Sequence, residues 1–119
     1  MSKRLRTPPH DLDAERALLG AVILKPDTMH DVSVTVYPES FYADKHTEIY
    51  RAILGLFTKG DPIDLLSVST NLKSNKQLER IGGASYLTEL IESVPAAGNA
   101  NYYARLVHDK AMLRGLIHA

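Results

Sequence analysis

Residues 49 to 64 read IYRAILGLFTKGDPID, and two parses of this stretch lead to different folds. Gly55, four residues and Gly60 nearly spell a phosphate-binding loop, which needs a Lys and a Ser or Thr straight after the second glycine. Asp61 and Pro62 stand there instead. An aspartate repels the anion such a loop exists to hold, and a proline has no N–H to offer it. The other parse is a helix. Ile49, Tyr50, Ile53, Leu54 and Phe57 recur at helical spacing and make one apolar stripe. Asp44 is a candidate cap at its start. Lys59 suits the negative end of the helix dipole, and Gly60 can end the helix in a left-handed conformation. Gly55 then lies inside a helix, and GDPID is a stop, a turn and a new cap at Asp64.

The same grammar runs outward in both directions. DLDAERALLGAVIL, from residue 11, has Asp11 or Asp13 as a cap and Glu15 near the positive dipole end. Leu18, Leu19, Val22 and Ile23 share a face, and Pro26 stops the helix. Asp27 can cap a short turn through Met29 and Val32. Pro38 favours a helical first turn in YPESFY, whose Phe41 and Tyr42 anchor it to the core. After Asp64, Leu65, Val68 and Leu72 line one side of the next helix. Gly82 and Gly83 turn the chain into ASYLTELIESV, with Tyr86, Leu87, Leu90, Ile91 and Val94 as its buried stripe. PAAGNAN, residues 95 to 101, reads as a hinge. NYYARLVHDKAMLRGLIHA reads as one last helix with Tyr102, Leu106, Leu113 and Ile117 along a face. No segment alternates over strand length. The expected fold is all-α: a flexible tail over 1–10, a compact multi-helix head over 11–94, a hinge over 95–101, and a longer helix over 102–119. An apolar face at the end of a helix has to be covered. It either folds back on the head or belongs to a helical hairpin, and the hinge favours the hairpin.

Composition narrows the function classes. The chain has 119 residues, enough for one domain with a small core. Lys plus Arg number 14 and Asp plus Glu number 14, whereas a domain that grips nucleic acid through its phosphates is usually basic. Nothing reaches the 18 or so consecutive apolar residues of a membrane span. Lys3, Arg4 and Arg6 are not followed by the apolar segment of a signal peptide. The absence of cysteine excludes disulfides and thiolate metal sites and fits a cytoplasmic protein.

No constellation rises to an active site. None of the five histidines pairs at i, i+4 with another in a zinc motif. His46 reads as a partly buried helix residue bonded to a neighbour. Asp11, Asp13 and Glu15 read as capping residues rather than a metal cluster. Ser67, Ser69 and Thr70 have no histidine near in sequence to act as base. Tyr102 and Tyr103 could stack on bases, but without interleaved basic residues they read as packing or interface residues. The expectation is no catalytic residue, no metal and no cofactor in this chain.

Four blocks taken in order carry more. They are AERALLGAVIL at 14–24, PESFYADKHTEIYRAILGLFTKGDPID at 38–64, L-x-x-IGG-x-x-YLTEL at 78–90, and VPAAGNANYYARLVHDKAMLRGLI at 94–117. Together they resemble the N-terminal domain of the bacterial replicative DNA helicase, the DnaB type, from Pro8 to Ile117. The resemblance implies a head and a helical hairpin that pair with a neighbouring subunit, giving a dimer, or a trimer of dimers within a hexameric ring. It implies a linker to an ATPase motor that moves on single-stranded DNA, and a collar that recruits primase and, in some systems, a helicase loader. Carried to this chain, residues 102–117 are the first hairpin helix, and Tyr102, Tyr103, Leu106, Val107, Leu113 and Ile117 are interface candidates. The motor, with its ATP and magnesium sites, and the second hairpin helix are absent from these residues. The chain is therefore expected to be an N-terminal piece of a helicase. The alternative is a standalone motorless protein that modulates the host helicase or primase.

Overall fold

A computed structural model describes residues 7–115. Among them there are six α-helices and no strand: α1 (Leu12–Leu24), α2 (Met29–Thr35), α3 (Asp44–Lys59), α4 (Leu65–Ser74), α5 (Gly83–Ser93) and α6 (Ala100–Leu113). Short 3-10 turns at Pro26–Thr28, Pro38–Ser40 and Ala97–Asn99 connect them.

The helix α1 is the axis of the domain. It packs against α5, α6 and α3, and Leu18, Leu19, Ala21 and Val22 are fully buried. A helix that is apolar on most of its surface belongs inside, and here other helices surround it. Gly20 removes the last obstacle on the α5 side, where the backbone of Leu90 comes close. Tyr50, Ile49 and Ile53 of α3, Leu72 of α4, and Leu87 and Leu90 of α5 complete the core.

The helix ends follow local chemistry. Asp11 caps α1 by accepting from the Ala14 N–H at 3.0 Å. Gly60 ends α3 at φ +75°, where a side chain would be strained. Asp64 and Ser67 close a reciprocal capping box at the start of α4. At α3 the expected cap is displaced by one residue. Ala43 holds the cap position, Asp44 is the first helical residue, and no local side chain caps the helix.

Two features at the C-terminal side differ from the sequence reading. Residues 95–101, expected as a hinge, form a 3-10 turn packed against α1 and then run into α6. The Ala96 N–H donates to the Tyr103 hydroxyl at 3.2 Å, which ties this corner down. The last helix also stops early, at Leu113, because Gly115 adopts φ +81°. It lies on the head, against α1 and α2. Its inner face is Ala100, Tyr103, Ala104, Val107 and Ala111, all buried. Three alanines at that face let α6 approach α1 closely. The expected tail also divides: residues 1–6 lie outside the described residues, while Pro9 and His10 are engaged by Arg114 and Tyr42.

Candidate protein-docking surface

The most organised polar group lies inside the domain. Glu15 of α1 is 2% exposed and His46 of α3 is 0% exposed. One Glu15 oxygen accepts from the Tyr42 N–H at 2.7 Å; the other lies 3.4 Å from the Ala43 N–H and 2.7 Å from His46 Nδ1. His46 Nε2 lies 2.6 Å from the Tyr86 hydroxyl of α5. With Glu15 ionised, Nδ1 carries a proton, and in the neutral imidazole the Tyr86 hydroxyl then donates to Nε2. Burial pushes the Tyr86 phenol up, partly opposed by the Arg16 cation. The carboxylate thus holds the two residues that lead into α3 and fastens α1, α3 and α5 together. Its donors and acceptors are satisfied inside the fold, out of reach of a substrate.

In the stretch from Gly60 to Asp64, Asp61, Pro62 and Asp64 line an open groove of about 650 Å³ between the end of α3 and α4. Three of its backbone donors are already used. Gly60 N–H bonds the Phe57 carbonyl at 3.1 Å, Asp61 N–H the Leu56 carbonyl at 2.9 Å, and Asp64 N–H the Ser67 hydroxyl at 2.9 Å. No cradle of free N–H groups forms at these three residues, which is the physical reason the near-match to a phosphate loop is not one. Among the described residues no group of three or more His, Cys, Asp or Glu side chains could hold a metal.

The outer edge of α6 is different in kind. Tyr102 is 52% exposed and Leu113 67%, with Met112 partly exposed beside it. The Arg105 guanidinium lies 5.9 Å from the Tyr102 ring and extends this edge with a cation. Helix α2 lies alongside α6, joined at its start by the Asn101 amide donating to the Asp31 carboxylate at 3.4 Å, and exposes Val34.

The six interface candidates therefore separate. Tyr102 and Leu113 stand on the outer edge. Tyr103 and Val107 are buried against the head, and Leu106 is half-buried and packed on the core. Ile117 lies outside the described residues. Sequence reasoning passed over Met112 and Val34. A stripe read on one helix cannot tell which of two apolar edges meets the head, and no periodicity marks Val34 as exposed.

Comparison with known proteins places this geometry in a family. A family model described as the DnaB-like helicase N-terminal domain matches residues 7–109. The replicative DNA helicase DnaB of Geobacillus stearothermophilus is 46% identical over 112 residues, 94% of this chain and 25% of the relative. The replicative DNA helicase DnaC of Bacillus subtilis is 44% identical over 112 residues, with the same 94% and 25% coverage. The crystal structure of the N-terminal domain of DnaB helicase from Mycobacterium tuberculosis superposes with a TM-score of 0.90 at 45% identity, covering 92% of this chain and 79% of that one. A DnaB-like replicative helicase whose structure is described with its interactions with primase gives a TM-score of 0.78 at 28% identity, covering 88% of this chain and 25% of that one. The chain spans about a quarter of the length of the curated relatives it matches.

Proposed function

Because the chain belongs to the DnaB-like helicase N-terminal domain family, we propose that it is the collar and protein-docking domain of a hexameric replicative DNA helicase. The observation that carries this reading is the second apolar edge of α6. One face of that helix is buried on α1 and α2, yet Tyr102, Met112 and Leu113 remain outside. A buried inner face and an apolar outer edge on one helix suit a surface that meets another chain. The first partner is a second copy of the same domain, paired through α6 as one half of a hairpin. Primase and a helicase loader are the further partners, and the solved relative described with its interactions with primase supports the former. The longer protein would carry the ATP- and magnesium-dependent motor and work on DNA in the cytoplasm. No helix among the described residues is long and apolar enough to cross a membrane, which agrees with that place of work.

The test is the size and activity of the native gene product. An antibody raised against this chain should detect a protein about four times its length, since the chain covers 25% of its relatives. That product should hydrolyse ATP when purified, and the 119-residue chain alone should not. A native band at the chain's own size would sink the helicase reading and leave a motorless regulator in its place.

A further inference from the structure

Arg114 follows the last residue of α6, and its side chain reaches back across the domain. Nη1 donates to the Pro9 carbonyl at 2.8 Å, and Nη2 donates to the Ser40 carbonyl at 2.7 Å. The guanidinium carbon lies 5.6 Å from the centroid of the Tyr42 ring. The His10 imidazole stacks on the same ring, with centroids 4.1 Å apart and planes 11° apart. Three segments remote in sequence thus meet on one cation and one aromatic ring: the entry of the chain, the 40–42 loop, and the end of α6.

The platform is held from within. The Tyr42 N–H is fixed by the buried Glu15 carboxylate at 2.7 Å. Ser40 is fully buried, and its hydroxyl accepts from the Tyr37 N–H at 3.0 Å. The entry segment has no such anchor. Thr7, Pro8 and Pro9 are exposed and His10 is half-buried, so residues 7–10 put no side chain in the core. The planar fork of an arginine can serve two carbonyls at once, which the point charge of a lysine does not do. Directly after the clasp, Gly115 takes φ +81°. A segment with few buried contacts, held by hydrogen bonds at its edge, opens locally without unfolding the core.

We infer that Arg114 is a clasp. It makes the entry segment and the end of α6 one cooperative unit. The two ends close and open together, and by linkage loosening either one loosens the other.

The experiment is solution NMR on the chain with a reporter at each end. The first reporter is the His10 ring, whose proton shifts move upfield while it stacks on Tyr42. The second is amide exchange at Arg114 and Gly115, whose N–H groups bond the Lys110 and Met112 carbonyls at 3.1 and 2.9 Å. Arg114→Ala should return the His10 shifts to unstacked values and speed exchange at both amides about tenfold, the change expected for losing a charge-assisted bond. Arg114→Lys, which keeps the charge and loses the fork, should behave as Arg114→Ala does. Tyr42→Leu, which leaves Arg114 in place, should also speed exchange at Arg114 and Gly115. Core amides such as Ile53 and Leu90 should keep their wild-type rates in all three variants. Retention of the His10 stack in Arg114→Ala would overturn the clasp, as would unchanged exchange at Arg114 and Gly115 in Tyr42→Leu. Equal acceleration of the core amides would overturn it too, since Arg114 would then be a determinant of the whole fold.

Discussion

A methyl group on Gly20 would stand 2.2 Å from the carbonyl oxygen of Leu90 and 2.9 Å from its carbonyl carbon. The two central helices α1 and α5 therefore touch through a glycine on one side and backbone on the other. In an ordinary helix interior, alanine is favoured over glycine by about 1 kcal/mol. Here the added carbon meets a backbone that cannot rotate away. Gly20→Ala is expected to lower stability by about 1–3 kcal/mol despite its better propensity, as overpacked cores do. Urea unfolding followed by circular dichroism measures it. Wild-type stability in the variant would mean that α1 and α5 can separate at little cost.

The buried network makes a graded prediction. Tyr86→Phe removes only the hydroxyl that lies 2.6 Å from His46 Nε2. It should cost about 1–3 kcal/mol, the penalty of one buried group left without its partner. Glu15→Ala removes the acceptor of the Tyr42 N–H, the 3.4 Å contact to the Ala43 N–H and the 2.7 Å contact to His46 together. It should cost about 3–5 kcal/mol, as loss of one member of a buried polar pair does. The two changes share His46, so the double variant should lose less than the sum. Strict additivity in a double-mutant cycle would show that the three side chains do not act as a unit.

What the sequence could and could not disclose divides along separation in the chain. Gly60 as a left-handed helix stop and Asp64 as the next cap are local events, each settled within a few residues, and both stand as read, while of the two candidates Asp11 and Asp13 for the first cap it is Asp11 that holds the position. The Glu15 network is not local. His46 is 31 residues from Glu15 and 40 from Tyr86, and each residue taken singly has an ordinary role: a dipole partner, a helix histidine, a core tyrosine. The end of α6 fails for a related reason. The apolar pattern continues to Ile117, but α6 ends at Leu113 and Gly115 takes φ +81°. Tyr102 and Leu113 are exposed on the outer edge of α6, while the burial of Tyr103 and Val107 depends on the alanine face that lies on α1.

The capping box at α4 predicts an acid dependence with a definite sign. The Ser67 N–H bonds Asp64 at 2.7 Å. That bond first, and the Ser67 side chain second, hold the Asp64 carboxyl below its ordinary value of 3.8. A carboxyl whose folded pKa is depressed contributes stability above its unfolded pKa and loses it as pH falls through the folded value. Asp64→Ala should therefore melt below wild type at pH near neutrality, and the gap should close in acid, below the ordinary carboxylate range. Asp64→Asn keeps a capping oxygen without the titration and should stay near wild type at neutral pH. Thermal melts across the acid range measure all three proteins. A gap between Asp64→Ala and wild type that does not change with pH would remove the cap's charge from the account.

The proposed docking edge is tested by contrast between two leucines on one helix. Leu113 is 67% exposed, so Leu113→Asp places its charge in water and should leave the fold intact. Leu106 is half-buried against the core, so Leu106→Asp should weaken the domain itself, by about 1–3 kcal/mol. If the outer edge of α6 meets a second copy, Leu113→Asp and Tyr102→Asp should shift the full-length protein to smaller assemblies in sedimentation, because each would bury an unpaired charge at the contact. The same two variants should unfold at wild-type urea concentrations. Leu106→Asp should change both readouts, which is why it cannot carry the test alone. Full assembly in the double variant Tyr102→Asp, Leu113→Asp would place the contact between copies somewhere other than this edge.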